Sequence, residues 1–282
     1  MKIAHLLLTH ANPAQLKRLM DSLAHPDADF YIHVDLKADI GPFLPLVDNK
    51  HIFLIKKREK VFWGAYSIVQ ATVNAFYEIM GSGKKYDFIN LLSGQDYPLK
   101  STEEIHDFLG LNRGKAFMHT LSITDEWQEA IPRITRYHLS NYQFAGRHQA
   151  EKLLNFLLPE RKMPNGLIPV GRSQWFTITP THVKYILEYL EKNRHVQRFF
   201  ELTWGVDEII FQTLLYNSPH KDEMVNDNLR YIDWSEGKAS PKTFTIQDLS
   251  VLTHSGKLFA RKFNENIDSD ILNALDKLRA NS

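Results

Sequence analysis

Two adjacent acids, Asp207 and Glu208, stand directly before an apolar run in the stretch WGVDEIIFQTLL, residues 204–215. Ile209, Ile210, Phe211, Leu214 and Leu215 recur at helical spacing, which predicts a helix over 207–216 after a turn at Gly205. Both acids then occupy the first turn, where the helix dipole favours a carboxylate by about 0.3–1 kcal/mol. A carboxylate at the rim of a cleft can instead take a proton from a hydroxyl. Asp207 is the better capping residue, because its short side chain can accept from backbone N–H groups two or three residues on. The dodecamer alone leaves open whether Glu208 caps as well or performs chemistry.

Other motifs fail on their context. Gly81-Ser82-Gly83-Lys84-Lys85 has the flavour of a phosphate loop, but it follows a predicted helix and precedes a predicted strand. A phosphate cradle needs the reverse order, so this is read as a helix C-cap and turn. No GxGxxG follows the first strand, and the thirteen histidines contain no HExxH pair. Asp27-Ala28-Asp29 precedes its strand, and Asp268-Ser269-Asp270 sits where a C-terminal helix would start. Neither triplet lies where a divalent ion would be held on a diphosphate, so no metal site is expected.

The elements that must position these groups alternate. Apolar runs at 3–9, 29–35, 51–55 and 86–94 read as strands, with helical patterns at 13–23 and 66–80 between them. Further on, 175–179 and 229–234 read as strands, and 181–192, 207–216 and 269–280 as helices. This order predicts an α/β fold, a mostly parallel Rossmann-like sheet flanked by helices. One domain is expected over 1–282, with the alternation loosening beyond about residue 115. Ligands of such sheets bind at the carboxyl ends of the strands. Thr9-His10, Asp35 and Ser93-Gly94-Gln95-Asp96 end three of the runs and predict a nucleotide-type crevice there.

Composition excludes much else. Residues are 43% hydrophobic and 24% charged, and 34 basic side chains balance 33 acidic ones to a net charge of +1. That balance points to no nucleic-acid partner. The basic cluster Lys56, Lys57, Arg58 and Lys60 reads as a solvated turn. With no cysteine, disulfides, thiolate metal sites and cysteine nucleophiles are excluded. The N-terminal MKIAHLLLTHANP is too short and too polar for a signal peptide or anchor, so a cytoplasmic protein without a transmembrane segment is expected.

Seven segments in fixed order carry a resemblance: YIHVD (31–35), VFWGAYSIVQA (61–71), FINLLSGQDYPLK (88–100), SQWFTIT (173–179), WGVDEIIFQTLL, LRYIDW (229–234) and LFARKF (258–263). Together they resemble the core-2/I-branching β-1,6-N-acetylglucosaminyltransferase family, which includes the mucin core-branching enzymes and the peptide O-xylosyltransferases. The similarity runs from about residue 3 to 265, without the anchor and stem of the animal members, as in a soluble bacterial-type relative. It implies a glycosyltransferase-A fold, with a nucleotide-binding half at about 1–110 and an acceptor-binding and catalytic half at about 111–282, and an inverting glycosyltransferase that needs no divalent metal or other cofactor. The implied partners are a UDP-sugar donor (UDP-GlcNAc or UDP-xylose) and a glycan acceptor, lipid-linked ones included. Surface polysaccharide biosynthesis in the cytoplasm, peripheral to the inner membrane, would be the setting.

The resemblance also implies roles. Glu208 matches the catalytic base of a Pro-Asp-Glu motif, in which Val206 here replaces the proline. Lys262 matches a lysine on the diphosphate; the second base has no clean counterpart, and Arg230 and Lys242 remain open. Asp35 matches the acid that reads the uracil imide, with Leu8 and His10 flanking the base. Trp63 matches an aromatic near the donor, although packing would explain it too. Gly94, Gln95 and Asp96 lie where metal-dependent relatives keep a metal loop, and Asp96 would orient the donor sugar. Trp234, with Ser173, Gln174 and Trp175, would form the acceptor wall, and residues 120–170, including Asp125, Glu126 and Arg136, would select the acceptor. Two alternatives share the fold: an inactive sugar-binding or scaffold protein, and a metal-dependent transferase using Asp96. A glycoside hydrolase is disfavoured because only one acid is well matched, where two must flank the scissile bond.

Overall fold

The computed structural model of the chain describes residues 1–47 and 50–280. Strands run, in chain order, as β1 (Ile3–Thr9), β2 (Ala28–Val34), β3 (Ile52–Leu54), β4 (Phe88–Ser93), β5 (Asp96–Pro98) and β6 (Ala116–Phe117). β7 (Leu121–Ser122), β8 (Val170–Gly171), β9 (Thr177–Ile178), β10 (Met224–Val225), β11 (Arg230–Ile232) and β12 (Phe259–Arg261) follow. A seven-stranded sheet has the order β10-β6-β9-β4-β1-β2-β3. β1 pairs in parallel with both β2 and β4, β2 with β3, and β6 with β10; β9 lies antiparallel between β4 and β6. The expected mostly parallel α/β sheet is present.

Alternation along β1 explains why both faces are covered. Ala4 and Leu6 point into one core with Val69, Phe76, Phe176 and Phe211, while Ile3 and Leu7 point into the other with Leu16, Leu19, Phe88 and Leu272. All four β1 side chains are completely buried. Helices Tyr66–Met80, Pro180–Lys192 and Ile210–Tyr216 supply the first core, and Pro13–Ser22, Thr102–Leu111 and Asp270–Ala280 the second. Burial on both faces requires near-continuous apolar strands, and that is what made β1, β2 and β4 readable. Asn12 caps Pro13–Ser22 by accepting from the Gln15 N–H, and Tyr66–Met80 ends at Gly81 as the pattern predicted. Asp268 accepts from the Ile246 and Ile271 N–H groups, a structural role like the capping expected of its triplet.

The expected helix over 207–216 is broken. A single 3-10 turn, Val206–Glu208, comes first, Ile209 leaves helical geometry (φ −127°), and the α-helix begins at Ile210. The cause is tertiary: the Glu208 carbonyl accepts from the Arg172 N–H (3.0 Å), which fastens the turn to β8. A Cβ on Gly171 would stand 2.1 Å from that carbonyl oxygen, so only glycine admits the approach.

Candidate active site

The carboxyl ends of β1, β2 and β4 converge on one edge of the sheet, because the three strands are parallel and in register. A cavity of about 440 Å³ opens there, lined by Leu8, Thr9, His10, His33, Asp35, Trp63, Ser93 and Gln95, with Gln174, Trp175 and Arg261 across it. Asp35 is buried, and its Oδ1 accepts from the Lys37 N–H (2.9 Å) and the Val61 N–H (3.4 Å). Arg58 donates to the carbonyls of Val34, Asp35 and Ala38 at 2.7–2.8 Å. The basic cluster at 56–60 is therefore not simply a solvated turn; Arg58 braces the loop that presents Asp35. His33, which the sequence did not single out, is neutral at physiological pH, because burial lowers its pKa to about 4. Gly94 lies against the Thr9 side chain, 2.9 Å from where a Cβ would meet Oγ1, on a smaller hollow shared with Leu8, His10 and Gln95.

A second cavity of about 370 Å³ adjoins the first through Trp63, Gln95, Gln174, Trp175 and Arg261. Asp207, Glu208, Arg230, Ser173, Trp234 and Lys262 also line it. Glu208 is held in place from far away in the chain: Arg133 Nη1 lies 2.6 Å from its Oε2. The Arg133 guanidinium sits 4.8 Å from the Trp127 ring and 4.6 Å from the Trp204 ring, two cation–π contacts that fix the fork. Gly205, in the left-handed region (φ +62°), leaves the room; a Cβ there would meet Arg133 Nη1 at 2.6 Å. Among the described residues Oε1 of Glu208 accepts no hydrogen bond, so one oxygen is anchored and the other is free.

Asp207 does not cap a helix, contrary to the sequence expectation. Its Oδ1 is sealed from solvent and has no hydrogen-bond partner among the described residues, and the α-helix starts beyond it. Burial, reinforced by the neighbouring Glu208 charge, pushes its pKa up to about 7. Such an acid holds more protons folded than unfolded between pH about 4 and 7, so stability falls as pH rises through that window. The Tm of Asp207→Asn should therefore gain on the wild type as pH goes from about 5 to about 8, as followed by thermal denaturation. An unchanged difference across that range would mean that Asp207 is ionised throughout.

The cations arrive on a separate three-stranded sheet, β11-β12-β5, in which Arg261 pairs with Asp96 in register. Asp96 is fully buried; it accepts from the Ser93 N–H (3.0 Å) and hydroxyl (2.9 Å), and Arg261 Nε stands 3.6 Å from its Oδ1. Among the described residues Arg261 has no hydrogen-bond partner on the buried Nε or Nη1; it lies 4.1 Å from the Trp175 ring and lines both cavities. Arg230 is committed to the framework: its Nη groups donate to Thr177, Asn90 and the carbonyls of Asn228, Leu91 and Phe176. Lys242 is paired with Asp248 at 2.6 Å and lines neither cavity. The sequence reading missed Arg261 and Arg133. The ARKF segment was a signal for the first; nothing local marks the second.

On the remaining wall, Ser173 Oγ accepts from Asn228 Nδ2 (2.9 Å), the buried Gln174 Nε2 has no partner among the described residues, and Trp234 is half exposed. Among the described residues, His182, His220 and Glu223 form the one group spaced for a cation, and they line neither cavity. The Thr179 N–H points at His182 Nδ1 (3.1 Å), which leaves the ring proton on Nε2 facing Glu223 (2.7 Å) instead of a metal lone pair. No helix among the described residues is long and apolar enough to cross a membrane.

Xylosyltransferase 2 of Rattus norvegicus is 27% identical over 98% of the chain, and the xylosyltransferase of Ciona intestinalis is 27% identical over the same share. The chain spans about a third of the length of these relatives (33% and 34%). The crystal structure of mouse xyloside xylosyltransferase 1 in its apo form aligns over 92% of this chain and 97% of its own, at 12% identity and a TM-score of 0.41. A sequence model of the Core-2/I-Branching enzyme family matches residues 3–253. That match covers well over half of the chain, and the chain belongs to the Core-2/I-branching enzyme family.

Proposed function

We propose that the protein is an inverting glycosyltransferase that moves xylose or N-acetylglucosamine from a UDP-sugar to a hydroxyl of a glycan. The observation that carries this reading is Glu208, with Oε2 anchored by Arg133 and Oε1 free, on the wall of a cavity that also holds Arg261 and Lys262. Glu208 takes the acceptor proton as the acceptor oxygen bonds to the anomeric carbon and the bond to UDP breaks. The proton ends on Glu208 and the electron pair on the diphosphate. Charge growing on the leaving group meets the Arg261 guanidinium, which lines both cavities, and the Lys262 ammonium, which act where transition-state charge develops. Uridine occupies the first cavity, with Asp35 beside it. The relatives named xylosyltransferases favour a pentose donor.

Metal-free transfer is supported by the surroundings of Asp96. Its carboxylate is fully buried, bonded to Ser93 and beside a guanidinium, which makes it a poor ligand for a dication. A panel of UDP-sugars, assayed in excess EDTA for thermal stabilisation and for transfer or hydrolysis, tests the reading. UDP-xylose or UDP-GlcNAc should raise Tm and turn over without added metal. Silence toward every UDP-sugar would overturn the proposal, and activity abolished by EDTA would overturn its metal-free part.

A further inference from the structure

We propose that the hollow beyond Trp63 is a second acceptor subsite, so that the protein takes an oligosaccharide in preference to a monosaccharide. The inference rests on the glycosyl-transfer reading and names its acceptor class. A cavity of about 520 Å³ lies on the far side of Trp63, with Trp204 and Phe62 as its aromatic wall and Ser140, Gln143 and Arg147 on its polar rim. Trp63 lines this cavity as well as the two described above, which makes it the partition between the reacting centre and the hollow.

Trp63 is 67% exposed, an expensive placement for the largest apolar side chain unless a ligand covers it. Trp204 meets it edge-on at 5.3 Å and 79°, which fixes the ring and leaves faces open. Flat rings with polar groups around them suit a pyranose, whose C–H face packs on the ring while its hydroxyls find partners at the edge. Arg147 is the least committed of them: among the described residues it has no carboxylate partner and only two contacts at 3.5 Å, to the Tyr142 carbonyl and His148 Nε2, whereas Gln143 Nε2 donates to the Ser140 carbonyl (3.1 Å).

The hollow is also coupled to the proposed base. Trp204 carries Arg133 on its face at 4.6 Å, and Arg133 holds Glu208 at 2.6 Å. A sugar seated on the Trp63–Trp204 corner therefore lies one side chain away from the group that orients Glu208. Filling the hollow should improve transfer, and a bare monosaccharide forgoes that contact.

The test uses the full chain with saturating UDP-sugar and an array of β-linked mono-, di- and tetrasaccharides of glucose, galactose, xylose and N-acetylglucosamine, plus a serine-containing peptide. The wild type should transfer to a tetrasaccharide with kcat/KM at least about tenfold above its monosaccharide, the equivalent of about 1.4 kcal/mol. In Arg147→Ala and Gln143→Ala, surface changes on the rim, that preference should shrink severalfold through KM. Equal efficiency for short and long saccharides, a preference untouched in both variants, transfer to the peptide alone, or donor hydrolysis with no saccharide accepted would each overturn the subsite. In all four cases UDP still stabilises the protein. A protein that UDP does not stabilise would instead sink the glycosyl-transfer reading itself.

Discussion

Glu208→Gln is expected to lower turnover of sugar transfer by about 10²–10⁴-fold, the span typical of a lost general base. Glutamine keeps the shape of the side chain and can still accept from Arg133 through its amide oxygen. The turn at Val206–Glu208 is fastened through main-chain atoms, the Glu208 carbonyl and the Arg172 N–H, so the substitution leaves that clamp intact. Steady-state kinetics should therefore show a fall in kcat, while calorimetry or thermal shift shows UDP binding and Tm close to the wild type. Transfer that survives the change would return Glu208 to a purely structural role. Loss of UDP binding together with activity would indicate a collapsed site instead of a missing base.

Arg261→Lys should lower kcat/KM for the UDP-sugar by about 10²-fold, near the lower end of what removing one preorganised donor costs. Lysine keeps a positive charge beside buried Asp96, so folding is preserved, but it cannot present two nitrogens in a fixed plane. Arg261 is proposed for the leaving group because its guanidinium lines both cavities and is paired only loosely, its Nε standing 3.6 Å from Asp96 Oδ1. Lys242→Ala provides the contrast. Its ammonium is taken by Asp248, so its loss should change the same constant far less. Equal effects at both positions would remove Arg261 from the diphosphate.

The regular half of the molecule was legible because its strands are buried on both faces. IAHLLLT, DFYIHVD and YDFINLLSG are near-continuous apolar runs, and a parallel sheet demands such runs whatever surrounds it. Of their polar ends, Thr9-His10, Asp35 and Ser93-Gly94-Gln95-Asp96, the structure gathers Thr9, His10, Asp35, Ser93 and Gln95 around one cavity, because parallel strands share a direction, while Gly94 and Asp96 do not line it. The shorter strands were overestimated: WFTIT pairs only at Thr177–Ile178 and LRYIDW only at Arg230–Ile232. Side-chain pattern marks a buried segment there, whereas pairing depends on where partner strands stop.

The acid pair shows the division most plainly. Local spacing predicted a continuous helix with Asp207 as its cap, and nothing in the dodecamer could say otherwise. A bond from Arg172 and the bare face of Gly171 break that helix from outside. Arg133, 75 residues away in sequence, selects which oxygen of Glu208 stays free. By itself the sequence determined the sheet, the edge at which its polar strand ends gather and the family, because those depend on runs of side chains close together in the chain. The tertiary structure decided which acid is anchored and which is sealed, and which cation is uncommitted, because each answer depends on partners that folding brings from distant segments.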